Sequence, residues 1–198
     1  MFFWTARQMI FRILYGMGVA AYHAGIKVAA YWQPKAKAWV EGRRNWQVPL
    51  QRWRQTNASA QVFWMHCASL GEFEQGRSVL EAWCEKHPDW KIVLTFYSPS
   101  GYEQRKNYPQ ADYITYLPAD SARNAQQWLS ALRPALAIFV KYEFWYHHLT
   151  ALHTQGIPTY LIAASFRPTQ VFFRWYAGAF RQLLAGFTHI FVQQASDQ

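Results

Sequence analysis

No proline interrupts the chain between Phe2 and Trp32, and the residues there are mostly apolar with few charges, so the pattern predicts one long helix over residues 2–32. At about 100° per residue, Arg12, Gly16, His23 and Lys27 share one narrow stripe, while Ile10, Leu14, Met17 and Val28 lie on the other side. Only fourteen residues separate Arg12 from Lys27, fewer than the roughly 20 that a spanning helix needs. The expectation is an interfacial or shallowly inserted helix with one face toward acyl chains. Gly16, Ala20 and Ala24 recur at four-residue spacing, which suits close approach of a second helix or simple tolerance of small residues. A cleaved leader fits less well, because a basic stretch follows the helix instead of a small-residue cleavage motif.

Residues 33–60 are polar and basic, contain Pro34 and Pro49, and read as a linker in which 46–53 form a short surface helix. From Gln61 the pattern changes. Short apolar runs at 62–68, 91–96, 113–117, 135–140, 159–163 and 189–193 alternate with longer stretches, most of them long enough for a crossover helix, the first at 73–86. That alternation predicts an α/β domain over 61–198 with a doubly wound parallel sheet. A further helix starts near Asp120, capped just after Pro118, and stops at Arg133-Pro134, where proline cannot continue it.

Charge divides the chain at the same place. Nine lysines and arginines against the single acid Glu41 put +8 of the formal +9 in residues 1–60, leaving the α/β domain nearly neutral. Cations flanking an apolar helix suit an anionic membrane surface, whereas a nucleic-acid binder would carry them on its folded domain; nucleic acid is not expected as a partner. Cys67 and Cys84 match neither zinc-site nor disulfide spacing, which suits the cytoplasm. Neither a P-loop, nor G-x-G-x-x-G, nor a nucleophile elbow is present, which counts against nucleotide hydrolysis, dinucleotide redox chemistry and lipase-type acyl transfer.

In a doubly wound sheet, ligands collect beyond the carboxyl ends of the strands. The first such loop holds Ser69, Gly71 and Glu72; the acid reads either as a general base or as a partner for the helix dipole. The second holds Ser98, Ser100 and Gly101, which suit a sugar or phosphate and equally a plain turn. The fourth places Glu143 just past a buried strand, as a site residue or a solvated loop acid. His147, His148 and His153 lack a carboxylate at ligand spacing, so no metal is expected.

Taken together and in order, His66-Cys67-Ala68-Ser69-Leu70-Gly71-Glu72-Phe73, Ser98-Pro99-Ser100-Gly101, Tyr116-Leu117-Pro118-Ala119-Asp120 and Glu143-Phe144-Trp145 resemble the amino-terminal half of the 3-deoxy-D-manno-octulosonic acid (Kdo) transferases. The resemblance runs from about Val62 to the chain end, with looser similarity in the helix and in Gly42-Arg43-Arg44. It implies a Rossmann-like, acceptor-binding half of a GT-B glycosyltransferase at the cytoplasmic face of the inner membrane. That enzyme transfers Kdo from CMP-Kdo to a lipid A precursor with inversion, without cofactor or essential metal. By position, Glu72 resembles the base that deprotonates the acceptor hydroxyl, and Glu143 the acid assigned to transition-state stabilisation. Ser69, Gly71, Ser98, Ser100 and Gly101 are the acceptor-binding candidates. The family's donor-binding domain and a later lysine are expected beyond Gln198, so the chain alone is expected to be inactive. Two departures stand out: Lys141 where many members carry an acid, and Ala164-Ser165-Phe166-Arg167 in place of an Asn-Ala-Arg pattern. A catalytically silent, membrane-bound lipid-binding module is the alternative.

Overall fold

The computed structural model of the chain describes residues 6–166 and 178–193; positions 2–5 of the expected first helix, and Arg167, lie outside them. Three helices come first, α1 (Ala6–Ala29), α2 (Pro34–Glu41) and α3 (Gln47–Thr56). Strands and helices then alternate: β1 (Val62–Cys67), α4 (Leu70–Lys86), β2 (Lys91–Phe96), α5 (Pro99–Arg105), β3 (Tyr113–Tyr116), α6 (Ala122–Leu132), β4 (Leu136–Val140), α7 (Tyr146–Thr154), β5 (Thr159–Ala164), α8 (Gly178–Ala185) and β6 (His189–Val192). All six strands are parallel, in the order β3-β2-β1-β4-β5-β6, so the sheet is doubly wound as the apolar runs imply and reverses direction between β1 and β4.

Strand alternation sorts side chains onto two faces. Val62, Trp64, Ala137, Phe139 and Leu161 join a core with Leu50, Trp128 and Leu152 from α3, α6 and α7. Phe63, Met65, Cys67, Leu136, Ile138 and Val140 join the other core with Phe73 and Leu80 from α4. Burial on both faces explains why these runs read as continuously apolar. Gly76 lets α4 approach closely, since a Cβ there would stand 3.0 Å from Val140 and 3.2 Å from the Met65 sulfur.

The segment expected as a linker is structured: Trp39 on α2, Trp46 just before α3, and Leu50 on α3 are all buried. Its aromatic residues, scattered among cations in sequence, are what dock it. The helix expected near Asp120 is α6, and its cap is Ser121, whose Oγ accepts from the Asn124 N–H at 3.2 Å.

Asp120 instead turns inward, 1% exposed. Its Oδ1 accepts from the His148 N–H at 3.0 Å and meets that ring's Nδ1 at 2.6 Å. Its Oδ2 accepts from the Tyr15 hydroxyl at 2.6 Å and the His147 N–H at 3.1 Å. Two of the unpaired N–H groups at the start of α7 are thereby satisfied by a carboxylate from another loop. Burial alone would raise the Asp120 pKa, but the bonds from His148, Tyr15 and His147 outweigh it and hold it below the ordinary carboxylate value.

Tyr15 brings α1 into this arrangement. Phe11 packs on Tyr146 at 5.1 Å and His23 on Trp39 at 4.9 Å, so one face of the helix lies on the domain. Met9, Ile10, Ile13, Leu14, Met17 and Val28 remain more than half exposed on the other. By length and composition alone, Met9–Ala29, with mean hydropathy 1.2, is sufficient to cross a membrane.

Asp120→Ala leaves several buried donors unpaired and is expected to cost about 3–5 kcal/mol at pH 7 in urea unfolding. Because the folded pKa is depressed, the Asp120 contribution is present above the unfolded value near about 3.9 and is lost as pH falls through the folded value. The gap between wild type and variant should therefore narrow in acid; a gap constant down to pH 3 would contradict this account of Asp120.

Candidate active site

At the β1/β4 reversal, Glu72 stands in the first turn of the helix after β1 and Glu143 in the loop after β4. Ser69 caps α4, its Oγ accepting from the Glu72 N–H at 3.5 Å, and the Glu72 Oε2 accepts in return from the Ala68 N–H. This reciprocal cap holds the carboxylate over the loop instead of letting it extend into solvent. The Glu72 pKa is raised to about 7, first by burial and then by the charge of Glu143; the Ala68 N–H, the Lys141 ammonium and the Ser69 N–H oppose the rise. Glu72 thus complements a helix start and is balanced near neutrality, where a carboxylate accepts a proton most effectively.

Glu143 is 7% exposed and held by a chain of polar groups crossing the sheet. Trp64 Nε1 donates to Thr95 Oγ1 at 2.8 Å, Thr95 Oγ1 lies 2.9 Å from His66 Nδ1, and His66 Nε2 lies 3.1 Å from Glu143 Oε2, which also accepts from Trp145 Nε1. The Thr95 hydroxyl also reaches the Met65 carbonyl at 3.3 Å, and the Trp145 Nε1–H lies 3.0 Å from His66 Nε2 as well, so the His66 ring is held in place from both sides. Burial lowers the His66 pKa, opposed by Glu143, which agrees with a neutral ring. His66 occupies a β1 position whose neighbours on the same face, Val62 and Trp64, are core residues, and it therefore orients Glu143 from below.

Three loops meet here. The Tyr97 and Ser98 N–H groups donate to the carbonyls of Cys67 and Ala68 at 3.3 and 2.7 Å, joining the β2 loop to the β1 loop. The Tyr97 ring stacks on Trp145 at 4.6 Å, joining the β2 loop to the β4 loop. Ser69, Gly71, Glu72, Ser98 and Glu143 are thus brought together, and a Cβ on Gly71 would meet nothing within 4 Å. Ser98 caps α5 and its Oγ lies 2.8 Å from that of exposed Ser100. Gly101 has a packing role, because a Cβ there would fall 2.6 Å from the Phe96 ring and 3.1 Å from the Leu70 nitrogen. The histidines of α7 are occupied otherwise: His147 and His148 bind Asp120, and among the described residues no three ligand-type side chains converge as a metal site would require.

The roles of His66, Thr95 and Trp145 are not readable from spacing, since they depend on which strands are neighbours. Lys141 gave one signal, its departure from the resembled pattern. It sits at φ 68°, a left-handed conformation unusual for lysine, immediately after β4, and its charge acts on Glu72.

Residues 44–198 match the sequence family described as 3-deoxy-D-manno-octulosonic-acid transferase (kdotransferase). Among curated proteins, the chain is 29% identical over 110 residues to the 3-deoxy-D-manno-octulosonic acid transferase of Chlamydia muridarum, 54% of this chain and 26% of that protein. It is 26% identical over 145 residues to that of Bordetella pertussis, 68% of this chain and 32% of that protein. The chain therefore spans about a quarter to a third of these relatives' lengths. The crystal structure of Acinetobacter baumannii MurG is similar in fold, with a TM-score of 0.50 and 12% identity, covering 70% of this chain and 42% of that one.

Carboxyl-carbon NMR of the purified chain should show Glu72 titrating near pH 7. Glu143→Gln, which removes a like charge, should move the midpoint down, and Lys141→Gln, which removes an opposite one, should move it up. Shifts in the same direction would refute the placement of the two charges around Glu72.

Proposed function

The chain belongs to the 3-deoxy-D-manno-octulosonic-acid transferase family, and on that premise we propose that it is the acceptor-binding half of a GT-B enzyme transferring Kdo from CMP-Kdo to a lipid A precursor. The single observation that carries the catalytic reading is the Glu72 carboxylate, half-buried at the β1/β4 reversal with its pKa raised to about 7. A hydroxyl is a poor nucleophile until its proton is accepted during attack. Glu72 takes the proton of the acceptor hydroxyl as that oxygen bonds to the anomeric carbon of Kdo, while the bond to CMP breaks on the opposite side, inverting the centre. Glu143, fixed by His66 and Trp145, holds negative charge toward the cation-like sugar that forms as the leaving group departs.

In this reading the donor is bound mainly by a second domain outside the chain, and the isolated chain is expected to show no turnover. The exposed apolar side of α1, the packed side opposite it and the basic residues that follow support attachment in the plane of the inner membrane, at its cytoplasmic face. The same features support the alternative, a silent lipid-binding module, which differs in leaving Glu72 without a task.

Kdo transfer in membranes separates the two. Comparing this chain, the chain extended through the following coding sequence, and the extended form with Glu72→Gln, only the unmutated extended form should turn over, with the variant down by about 10²–10⁴. Activity should rise with pH through about 7 as Glu72 ionises. Full activity of Glu72→Gln would remove its catalytic role, and lipid binding with no transfer by any form would favour the silent module.

A further inference from the structure

A second cavity, of about 810 Å³, lies between the carboxyl-terminal half of α1, the α2–α3 turn and the loop after β3. Its charge is one-sided. Lys27, Lys37, Arg43 and Arg44 line it, against one acid, Glu41. Glu41 reaches Lys37 only at 4.0 Å on an exposed helix face. Lys27 and Arg44 have no carboxylate partner among the described residues. Arg43 makes its bonds to the carbonyls of Leu117, Tyr97 and Trp39 at 2.8, 2.8 and 3.2 Å, and its guanidinium lies 3.9 Å from the Trp39 ring centroid, so it too is fixed without a counter-charge.

The surroundings narrow the occupant. The wall formed by α1 continues into exposed Val28, Tyr31 and Trp32, at 55, 84 and 76% exposure, an apolar and aromatic rim of the kind that sits at a lipid interface. Toward the sheet, Arg43 contacts the Tyr97 ring at 4.8 Å, and Tyr97 stacks on Trp145, which bonds Glu143. One guanidinium and two rings therefore lie between the cavity and Glu143.

We infer that this cavity receives the phosphate monoester headgroup of a membrane lipid, its acyl chains lying along the exposed side of α1. The inference rests on the acceptor-binding reading of this half and adds the anchoring subsite. Four cations from two helices and a turn match a dianion held at several points.

The test compares two pairs of substitutions with equal change in charge. Lys27→Gln with Arg44→Gln removes cavity cations; Lys35→Gln with Arg52→Gln removes exposed cations outside it. All four sites are exposed, and circular dichroism with thermal melting checks that both variants fold. The probe is sedimentation with phosphatidylcholine vesicles carrying phosphatidic acid. The cavity pair should weaken binding at least about tenfold, and the outer pair about twofold or less. Vesicles of equal charge made with phosphatidylserine, which lacks the monoester, should affect both pairs alike. Equal losses on phosphatidic acid, or none, overturn the inference in favour of a diffuse basic surface. Inorganic phosphate at constant ionic strength should displace the wild type from phosphatidic acid vesicles only weakly; complete displacement at low millimolar phosphate would show a free-phosphate site and overturn the lipid assignment. Neither cavity residue touches Glu72 or Glu143. Cavity-dependent binding together with a fully active Glu72→Gln enzyme would therefore sink the catalytic reading alone, and the reverse result the cavity alone.

Discussion

A carboxylate taken out of water must find its donors inside the protein, and Asp120 finds them on elements far apart in sequence. Its two oxygens gather the start of α7 and the Tyr15 hydroxyl of α1. The consequences spread from there. Fixing the first turn of α7 fixes the short loop before it, which carries Glu143 and Trp145. Fixing Tyr15 holds α1 against the same helix through Phe11 and Tyr146. The helix proposed to meet the lipid and the loop proposed to meet the sugar are thus referred to one buried group.

Glu72 and Glu143 are treated differently by their surroundings, and this suits them to the different work proposed for them. Glu143 is held by the His66 ring, itself in contact with Thr95, and by the Trp145 indole N–H. Glu72 is held by one loop N–H and feels opposing charges from Glu143 and Lys141. A carboxylate held by fixed partners beside one whose pKa is raised to about 7 is a pair whose environments suit the different roles proposed for them.

Most of the architecture was legible because a parallel sheet buried on both faces leaves continuous apolar runs. The six runs from Val62 onward became the six strands, with ends moved by no more than one residue. Residues 33–60 were misread as linker because their hydrophobic content is concentrated in a few tryptophans and Leu50 among cations, a pattern in which helical period is weak but buried area is large. Local pattern marks Asp120 only as lying near the start of a helix, while its partners lie 27, 28 and 105 residues away. The same distinction divides the site. Glu72 and Glu143 stand in loops that the strand order makes conspicuous, whereas His66 and Thr95 look like ordinary strand positions until β1 and β2 are paired in register.

A helix that crosses a bilayer can adjust its tilt to the thickness of the hydrocarbon. In α1 that adjustment is closed off, because Phe11, Tyr15 and His23 fasten one side of it to the domain over more than three turns. Seated this way, the protein would be nearly indifferent to bilayer thickness and would respond instead to how tightly the lipids of a single leaflet are packed, since its outer side must open room between their chains. Attachment would then depend on leaflet area and curvature, so that crowding of lipids in that leaflet would itself govern how much of the protein is held at the surface.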